Sequence, residues 1–180
     1  MKPKAFSYAV TMLAFSAVHA ANSADNTTQP KTTAQQEMES VNYLIGKWSC
    51  SHVIGTSPGS YTATYSKVLG DRWLEEIYDF PAQQNGPTVT AWALMSFDER
   101  RQTWVRYFVN SVGYHFEIRM TDTPNGWSYK YASLFPETKS ETPDPDAVFT
   151  KKSDTEYTIE GPTYPANGTL VTQHDACHKA

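Results

Sequence analysis

Apolar and polar residues alternate along most of the chain after residue 46, as they do in β-strands whose two faces meet different surroundings. In segment 113–121, for example, Tyr114, Phe116 and Ile118 alternate with polar side chains. Glycines fall at the ends of such runs, where turns are needed. The pattern predicts ten strands, at 46–54, 60–69, 72–80, 88–97, 103–109, 113–121, 127–135, 146–152, 155–160 and 169–178.

A short helix is predicted ahead of the strands, within 35–44. Met38, Val41 and Leu44 are three residues apart and share one helical face, and Gly46 is suited to ending the helix.

Most links between the predicted strands have the size of hairpin turns, such as Gly70–Asp71 and Asn125–Gly126. Consecutive strands joined in this way form an up-and-down meander, and about ten of them favour closure over an open sheet. The long proline-rich stretch 136–146 is expected to be a loop at the barrel mouth or an excursion into solvent. The sequence therefore predicts an all-β fold, an antiparallel up-and-down barrel of about 8–10 strands with a short N-terminal helix.

The first and last predicted strands carry matching patterns. Trp48 and Cys50 are two residues apart, as are Cys177 and Lys179, so each pair shares a face of its strand. If the cysteines bond across an antiparallel pair, Trp48 lies opposite Lys179 and the two strands close the barrel, with a cation over an indole. Two unrelated buried thiols are the alternative.

Residues 1–20 have the features of a secretory signal peptide. Lys2 and Lys4 precede an apolar stretch that is too short for a membrane span, and small residues precede a cleavage site after Ala20. We expect a periplasmic or secreted protein, without membrane insertion after cleavage, whose two cysteines pair in an oxidising compartment. A disordered lead-in at 21–33 would precede a single domain at 34–180.

The formal net charge of the chain is −4, and its basic residues are scattered rather than clustered. Nucleic acids and anionic membranes attract clusters of basic residues, so we expect neither as a partner. The sequence leaves the oligomeric state open.

Three motifs follow one another along the chain: an aliphatic-Gly-x-Trp start at 44–48, Gly-x-Arg-Trp-Leu-x-Glu at 70–76, and a Phe-Asp turn at 96–99. With a helix before the first motif and a basic residue near the end, the chain resembles the calycin superfamily, which includes the lipocalins. It is more similar still to a family of small secreted bacterial barrels of unknown function. The resemblance implies a barrel with Trp48 and Lys179 packed at its closure, and it implies no particular chemistry.

The side chains that line the barrel decide where a ligand could bind. Strands 113–121 and 127–135 each have one aromatic face, whereas 72–80 and 103–109 carry large side chains on both faces. An interior this aromatic suits a hydrophobic or aromatic small molecule, and a filled core without a cavity is the alternative. The candidate ligand-binding residues are Trp73, Trp104, Tyr114, Phe116, Tyr129 and Tyr131.

Three polar residues are the catalytic candidates: Arg106, Glu75 and His52. If Arg106 faces the interior it needs a carboxylate partner, and Glu75 or Glu76 could supply one, either to orient a ligand or as a structural strut. His52 shares the face of Trp48 and would be a base beside Glu75 or a histidine near the rim. The sequence has no Gly-x-Ser-x-Gly nucleophile motif and no phosphate-binding glycine loop.

The residues considered as metal ligands are His52, His115, His174, Asp175 and His178. His174 and His178 have the spacing of helical ligands, but four residues of a strand span about 13 Å, too far for shared coordination. We therefore expect no metal site and no cofactor.

Three functions remain open after these observations. The favoured one is a barrel that binds a hydrophobic small molecule. The others are an accessory protein with a filled core that acts through its surface, and a barrel enzyme of the isomerase or cyclase type.

Overall fold

The computed structural model describes residues 33–82, 87–135, 146–163 and 171–180. The predicted signal peptide, nearly all of the lead-in and the stretch 136–145 lie outside these ranges. A helix α1 (Thr33–Ser40) and a 3-10 turn (Asn42–Leu44) precede ten strands. The strands are β1 (Gly46–Ile54), β2 (Ser57–Val68), β3 (Trp73–Phe80), β4 (Val89–Asp98), β5 (Thr103–Asn110), β6 (His115–Thr123), β7 (Gly126–Phe135), β8 (Ala147–Ser153), β9 (Glu156–Thr163) and β10 (Val171–Lys179).

Each strand pairs antiparallel with the next one along the chain, and β10 pairs with β1, so the sheet is a closed barrel. This confirms the predicted fold class.

Tight turns between the strands depend on local backbone geometry. At the β6–β7 turn, for example, Gly126 has a φ of 147°, and a Cβ there would lie 2.2 Å from the carbonyl oxygen of Phe149. Only glycine fits this position without a shift of the backbone.

The closure between β1 and β10 has the predicted register, with Cys50 opposite Cys177 and Trp48 opposite Lys179. A disulfide joins the two cysteines, whose Cα atoms are 4.1 Å apart. Lys179 Nζ lies 5.7 Å from the centre of the Trp48 ring and donates a hydrogen bond of 2.9 Å to the carbonyl oxygen of Tyr43. The last strand is therefore fixed to the first by a covalent bond, a cation–π contact and backbone pairing.

The helical segment covers one end of the barrel, which we call the helix end. Met38, Val41 and Leu44 are buried in the same core as Trp48, as the predicted helical stripe requires. Trp48 Nε1 donates a hydrogen bond of 2.7 Å to the carbonyl oxygen of Leu44. At the opposite end, which we call the distal end, β1 finishes at Ile54 and β10 begins.

No helix among the described residues is both long enough and apolar enough to cross a membrane.

Candidate functional site

Strand β5 places a positive charge inside the barrel. Trp104 is 1% exposed, whereas Tyr107 and Val109 are each 44% exposed on the outer surface. Because alternate residues of a strand share a face, Arg106 and Phe108 point inward with Trp104. Sequence alternation left this strand ambiguous, and burial assigns its faces.

Strand β3 places one of the two predicted carboxylates, Glu75 or Glu76, inside the barrel. Leu74, Glu76 and Tyr78 are buried and face the interior. Trp73 and Glu75 alternate with them and lie on the outer face. The carboxylate that meets Arg106 is therefore that of Glu76.

Glu76 and Arg106 form an ion pair within the barrel. Arg106 Nε donates to both carboxylate oxygens of Glu76, over 3.1 and 2.9 Å, and Nη2 lies 2.9 Å from Oε2. Tyr78 completes the cluster, since its hydroxyl donates to Glu76 Oε2 and accepts a hydrogen bond of 3.0 Å from Arg106 Nη2. Burial by itself lowers the pKa of Arg106, but attraction to Glu76 and its hydrogen bonds hold that pKa well above the usual value. Arg106 is thus held in its charged form, with hydrogen-bonding partners for its guanidinium inside the barrel.

A chain of phenol groups extends this cluster across the interior. The Tyr65 hydroxyl lies 3.4 Å from that of Tyr78 and 2.8 Å from that of Tyr157. Burial raises the pKa of all three phenols above the ordinary tyrosine value, and neighbouring Glu76 adds to the shift. They stay neutral at physiological pH and serve as hydrogen-bonding groups rather than as charges.

A second polar cluster lies on the wall formed by β1, β2 and β10. Asp175 is 4% exposed, and its Oδ2 accepts hydrogen bonds of 2.7 Å from the Tyr61 hydroxyl and 2.7 Å from Gln173 Nε2. His52, which is also buried, lies opposite Asp175 in the β1–β10 register and packs its ring against those of Tyr61 and Phe80.

The carboxylate of Asp175 is only half satisfied. Its Oδ1 is buried and has no hydrogen-bond partner among the described residues. Burial raises the pKa of Asp175 above the usual aspartate range, and the hydrogen bonds from Tyr61 and Gln173 with the attraction of His52 offset only part of this rise. Buried polar atoms in folded proteins nearly always have partners, so this oxygen is a candidate contact for a bound molecule.

Aromatic rings line the interior beyond the charged pair. Phe108 and Phe116 stack with ring centres 4.3 Å apart and an angle of 6° between their planes. Tyr131 meets Phe116 edge-on at 5.1 Å, and Tyr129 packs against the same core. These rings are only partly buried, although they face inward. Three of the candidate ligand-binding residues (Phe116, Tyr129 and Tyr131) are therefore brought together here.

The other three candidates lie elsewhere. Trp104 packs edge-on between Phe97 and Trp127 in the filled core at the helix end. Trp73 lies on the outer surface, where its ring contacts that of Tyr107, so its assignment to the interior was wrong. Tyr114 precedes β6 and is only partly buried, and its backbone N–H donates 2.9 Å to the side-chain oxygen of Asn110.

The catalytic candidates are not assembled as a group. Glu75 accepts hydrogen bonds from Trp92 Nε1 (2.9 Å) and the Ser66 hydroxyl (3.1 Å) on the outer face, so the barrel wall separates it from His52 and Arg106. The predicted pairing of His52 with Glu75 is therefore wrong, and of the two partners predicted for Arg106, Glu75 or Glu76, the structure has Glu76. The interior carboxylates are instead Glu76, beside Arg106, and Asp175, opposite His52.

Within the described part of the chain, no cluster of three or more histidine, cysteine or acidic residues could hold a metal ion. His115, His174 and His178 are not buried, whereas His52 and Asp175 face the interior.

Asp175 was overlooked as an interior carboxylate, although the sequence holds a signal for it. Asp175 precedes Cys177 by two residues, and His52 follows Cys50 by two. Once the disulfide register is accepted, strand alternation places both of them inside and opposite each other. No comparable signal separated Glu76 from Glu75, because both faces of β3 carry bulky side chains.

The chain matches a family model described as "Protein of unknown function (DUF1579)" over residues 33–171. The match extends from α1 to the first residue of β10 and covers most of the sequence. The chain belongs to this family. Cys177 and Lys179 lie beyond the matched range, so the disulfide is a feature of this chain that the match does not cover. No curated protein gave a significant match.

Proposed function

We propose that this family member is a secreted or periplasmic barrel that binds a hydrophobic or aromatic small molecule in its interior. The observation that carries the proposal is the partial exposure of inward-facing side chains. Phe108, Phe116 and Tyr131 face inward yet are not fully buried, and the Arg106 side chain is 17% exposed. In a filled core, neighbours would shield such groups completely, so their exposure supports an interior space that solvent reaches.

The width of the barrel supports the same proposal. Barrel diameter grows with strand number, and about eight strands already suffice for side chains to fill the interior or to hold one small ligand. This barrel has ten strands, and several of its interior positions carry only a methyl group, namely Ala63, Ala91 and Ala93. Such an architecture is consistent with membership of the calycin superfamily, which we propose on the motifs and the barrel together.

The chemistry of the lining indicates the kind of ligand. Stacked and edge-on rings at Phe108, Phe116 and Tyr131 offer apolar and π surfaces to a flat molecule. Arg106 and Glu76 neutralise each other, so this pair presents hydrogen-bonding groups without net charge. We assign the pair the role of a strut that fixes Tyr78 beside the ligand space.

The proposed location rests on the N-terminal sequence and on the disulfide. Disulfides persist in oxidising compartments, and the Cys50–Cys177 bond is compatible with export. Purification from the native periplasm or medium tests location and ligand together by mass spectrometry. Under denaturing conditions we expect the mass of a chain that begins at residue 21, lower by two hydrogens than the mass of the reduced chain because of the disulfide. Under native conditions we expect an additional mass from a retained small molecule.

The binding test uses 1-naphthalenemethanol as an uncharged aromatic probe in isothermal titration calorimetry. We expect saturable binding to the wild type and at least fivefold weaker binding to Phe116→Ala, which removes one ring of the stack. The matched control is Tyr107→Ala on the outer face of the adjacent strand, which should bind the probe as the wild type does. No binding to the wild type, or equal losses in both variants, would contradict the proposal.

A second candidate function is an accessory role through the outer surface. Ile77, Trp92 and Val109 are cross-strand neighbours on β3, β4 and β5, and they are 37%, 38% and 44% exposed. A contiguous row of exposed apolar side chains is typical of a contact surface. This function is favoured if the purified protein retains no small molecule and the naphthyl probe does not bind.

A further inference from the structure

The unpartnered oxygen of Asp175 specifies more about the ligand than the aromatic lining does. Asp175 is 96% shielded from solvent, and Oδ1 has no hydrogen-bond partner in the described part of the chain. The other oxygen, Oδ2, is fully used by Tyr61 and Gln173. A buried carboxylate with one free oxygen is stabilised by any group that can donate a hydrogen bond to it.

The charges of the interior favour a donor that is positively charged. Glu76 is balanced by Arg106 through an ion pair and bidentate hydrogen bonding. Asp175 takes part in no ion pair among the residues described, and even His52, its register partner, is not within ion-pair distance. Asp175 is thus balanced only in part, by the attraction of His52 and His174, and a cationic ligand group would supply a close countercharge.

The position of Asp175 fits a ligand that is both cationic and aromatic. Tyr61, which donates to Asp175, packs its ring 4.8 Å from that of Phe80. Phe80 is partly exposed and stacks in turn on Tyr78, with ring centres 6.2 Å apart. Strand order places β10 halfway round the barrel from β5, so Asp175 and Phe108 lie on opposite walls. A molecule that spans the interior between these walls would have one end toward β10 and the other toward the rings of β5.

We propose that the bound molecule is a small aromatic amine, whose ammonium group donates a hydrogen bond to Asp175 Oδ1 while its ring packs against Phe80 and the facing aromatic wall. This inference rests on the proposed ligand-binding function and adds the charge of the ligand to it. A metal ion is a poorer occupant, because Asp175 is the only acidic residue of β1, β2 and β10 and metal sites need several ligands.

The test compares 1-naphthylmethylamine with 1-naphthalenemethanol, which has the same ring and a neutral donor. A charged donor to a carboxylate is stronger than a neutral one, so we expect the amine to bind the wild type at neutral pH at least tenfold more tightly. Asp175→Asn should remove this preference, so that the amine and the alcohol bind this variant with affinities within about threefold of each other. Asp79→Asn is the matched control, since it removes the same charge from an exposed position on the outer face of β3 and should keep the preference.

The outcomes separate this inference from the proposed function. Binding of the alcohol with no preference for the amine overturns the amine proposal and leaves the binding barrel intact. A preference that survives in Asp175→Asn also overturns it, because the charge then acts elsewhere. Binding of neither probe contradicts the binding barrel itself. Folding of each variant is checked by circular dichroism, and Asp175→Ser provides the same test if the asparagine variant does not fold.

Discussion

The neighbouring glutamates of β3 allow a sharp test of the interior ion pair. Glu76→Gln removes the charge that balances Arg106 inside the barrel, whereas Glu75→Gln makes the same chemical change one residue earlier on the outer face. The two variants share strand, composition and backbone context. Any difference between their stabilities therefore reports on the side of the barrel wall that each carboxylate occupies.

The expected magnitudes follow from burial. Breaking a buried ion pair by removing one partner costs about 3–5 kcal/mol, because the remaining charge stays buried without compensation. Glutamine keeps an oxygen that can accept from Arg106 and Tyr78, so we expect Glu76→Gln to cost about 3 kcal/mol, or roughly 6–12 °C in melting temperature. Glu75→Gln keeps acceptors for Trp92 and Ser66 on the surface, and its cost should stay below about 1 kcal/mol.

The assay is urea unfolding at pH 7, followed by the fluorescence of the five tryptophans. The double variant Glu76→Gln with Arg106→Met completes a mutant cycle. It removes both charges, so we expect it to be more stable than the sum of the two single losses predicts. Equal losses for Glu75→Gln and Glu76→Gln, or a loss under about 1 kcal/mol for Glu76→Gln, would refute the assignment of the ion pair to the interior.

Two further predictions concern the closure and the second carboxylate. Cys50→Ser and Cys177→Ser should each lower the free energy of unfolding by similar amounts, roughly 4–5 kcal/mol for a loop of 127 residues, and the double variant should be no worse; additive losses would mean that the thiols do not pair. The pKa of Asp175 is raised on folding, so the folded chain holds this proton to higher pH than the unfolded chain does. Wild type should therefore lose stability relative to Asp175→Asn as pH rises above about 4, which urea unfolding at a series of pH values measures; a flat difference, or one of opposite sign, would contradict the raised pKa.

The elements of this barrel were predictable because each depends on local pattern. Period-two alternation and turn glycines predicted all ten strands to within a few residues, and the stripe of Met38, Val41 and Leu44 predicted the buried face of the helical segment. The closure was predictable for a related reason. Two cysteines, each two residues from a distinctive partner, leave few registers that satisfy strand geometry, and the observed register is the one that pairs Trp48 with Lys179.

The candidate site was predictable only in part, because its members come from strands far apart in the chain. Phe116, Tyr129 and Tyr131 were found from clean alternation, since each strand had a single aromatic face. The sequence did not predict which of Glu75 and Glu76 faces the interior. Trp73 and Leu74 give β3 an apolar residue on each face, so alternation does not show which face is buried.

The sequence by itself determined the strands, the turns and the pairing of the chain ends, all of which follow from short-range periodicity and from one covalent constraint. Only the tertiary structure decided which carboxylates lie inside. Arg106 pairs with Glu76, and Asp175 is left half satisfied, because the closed sheet determines which alternate residues of β3, β5 and β10 face the interior. These facings are fixed by the packing of all ten strands together, and a buried charge costs least where another strand brings it a partner, as β5 does for Glu76.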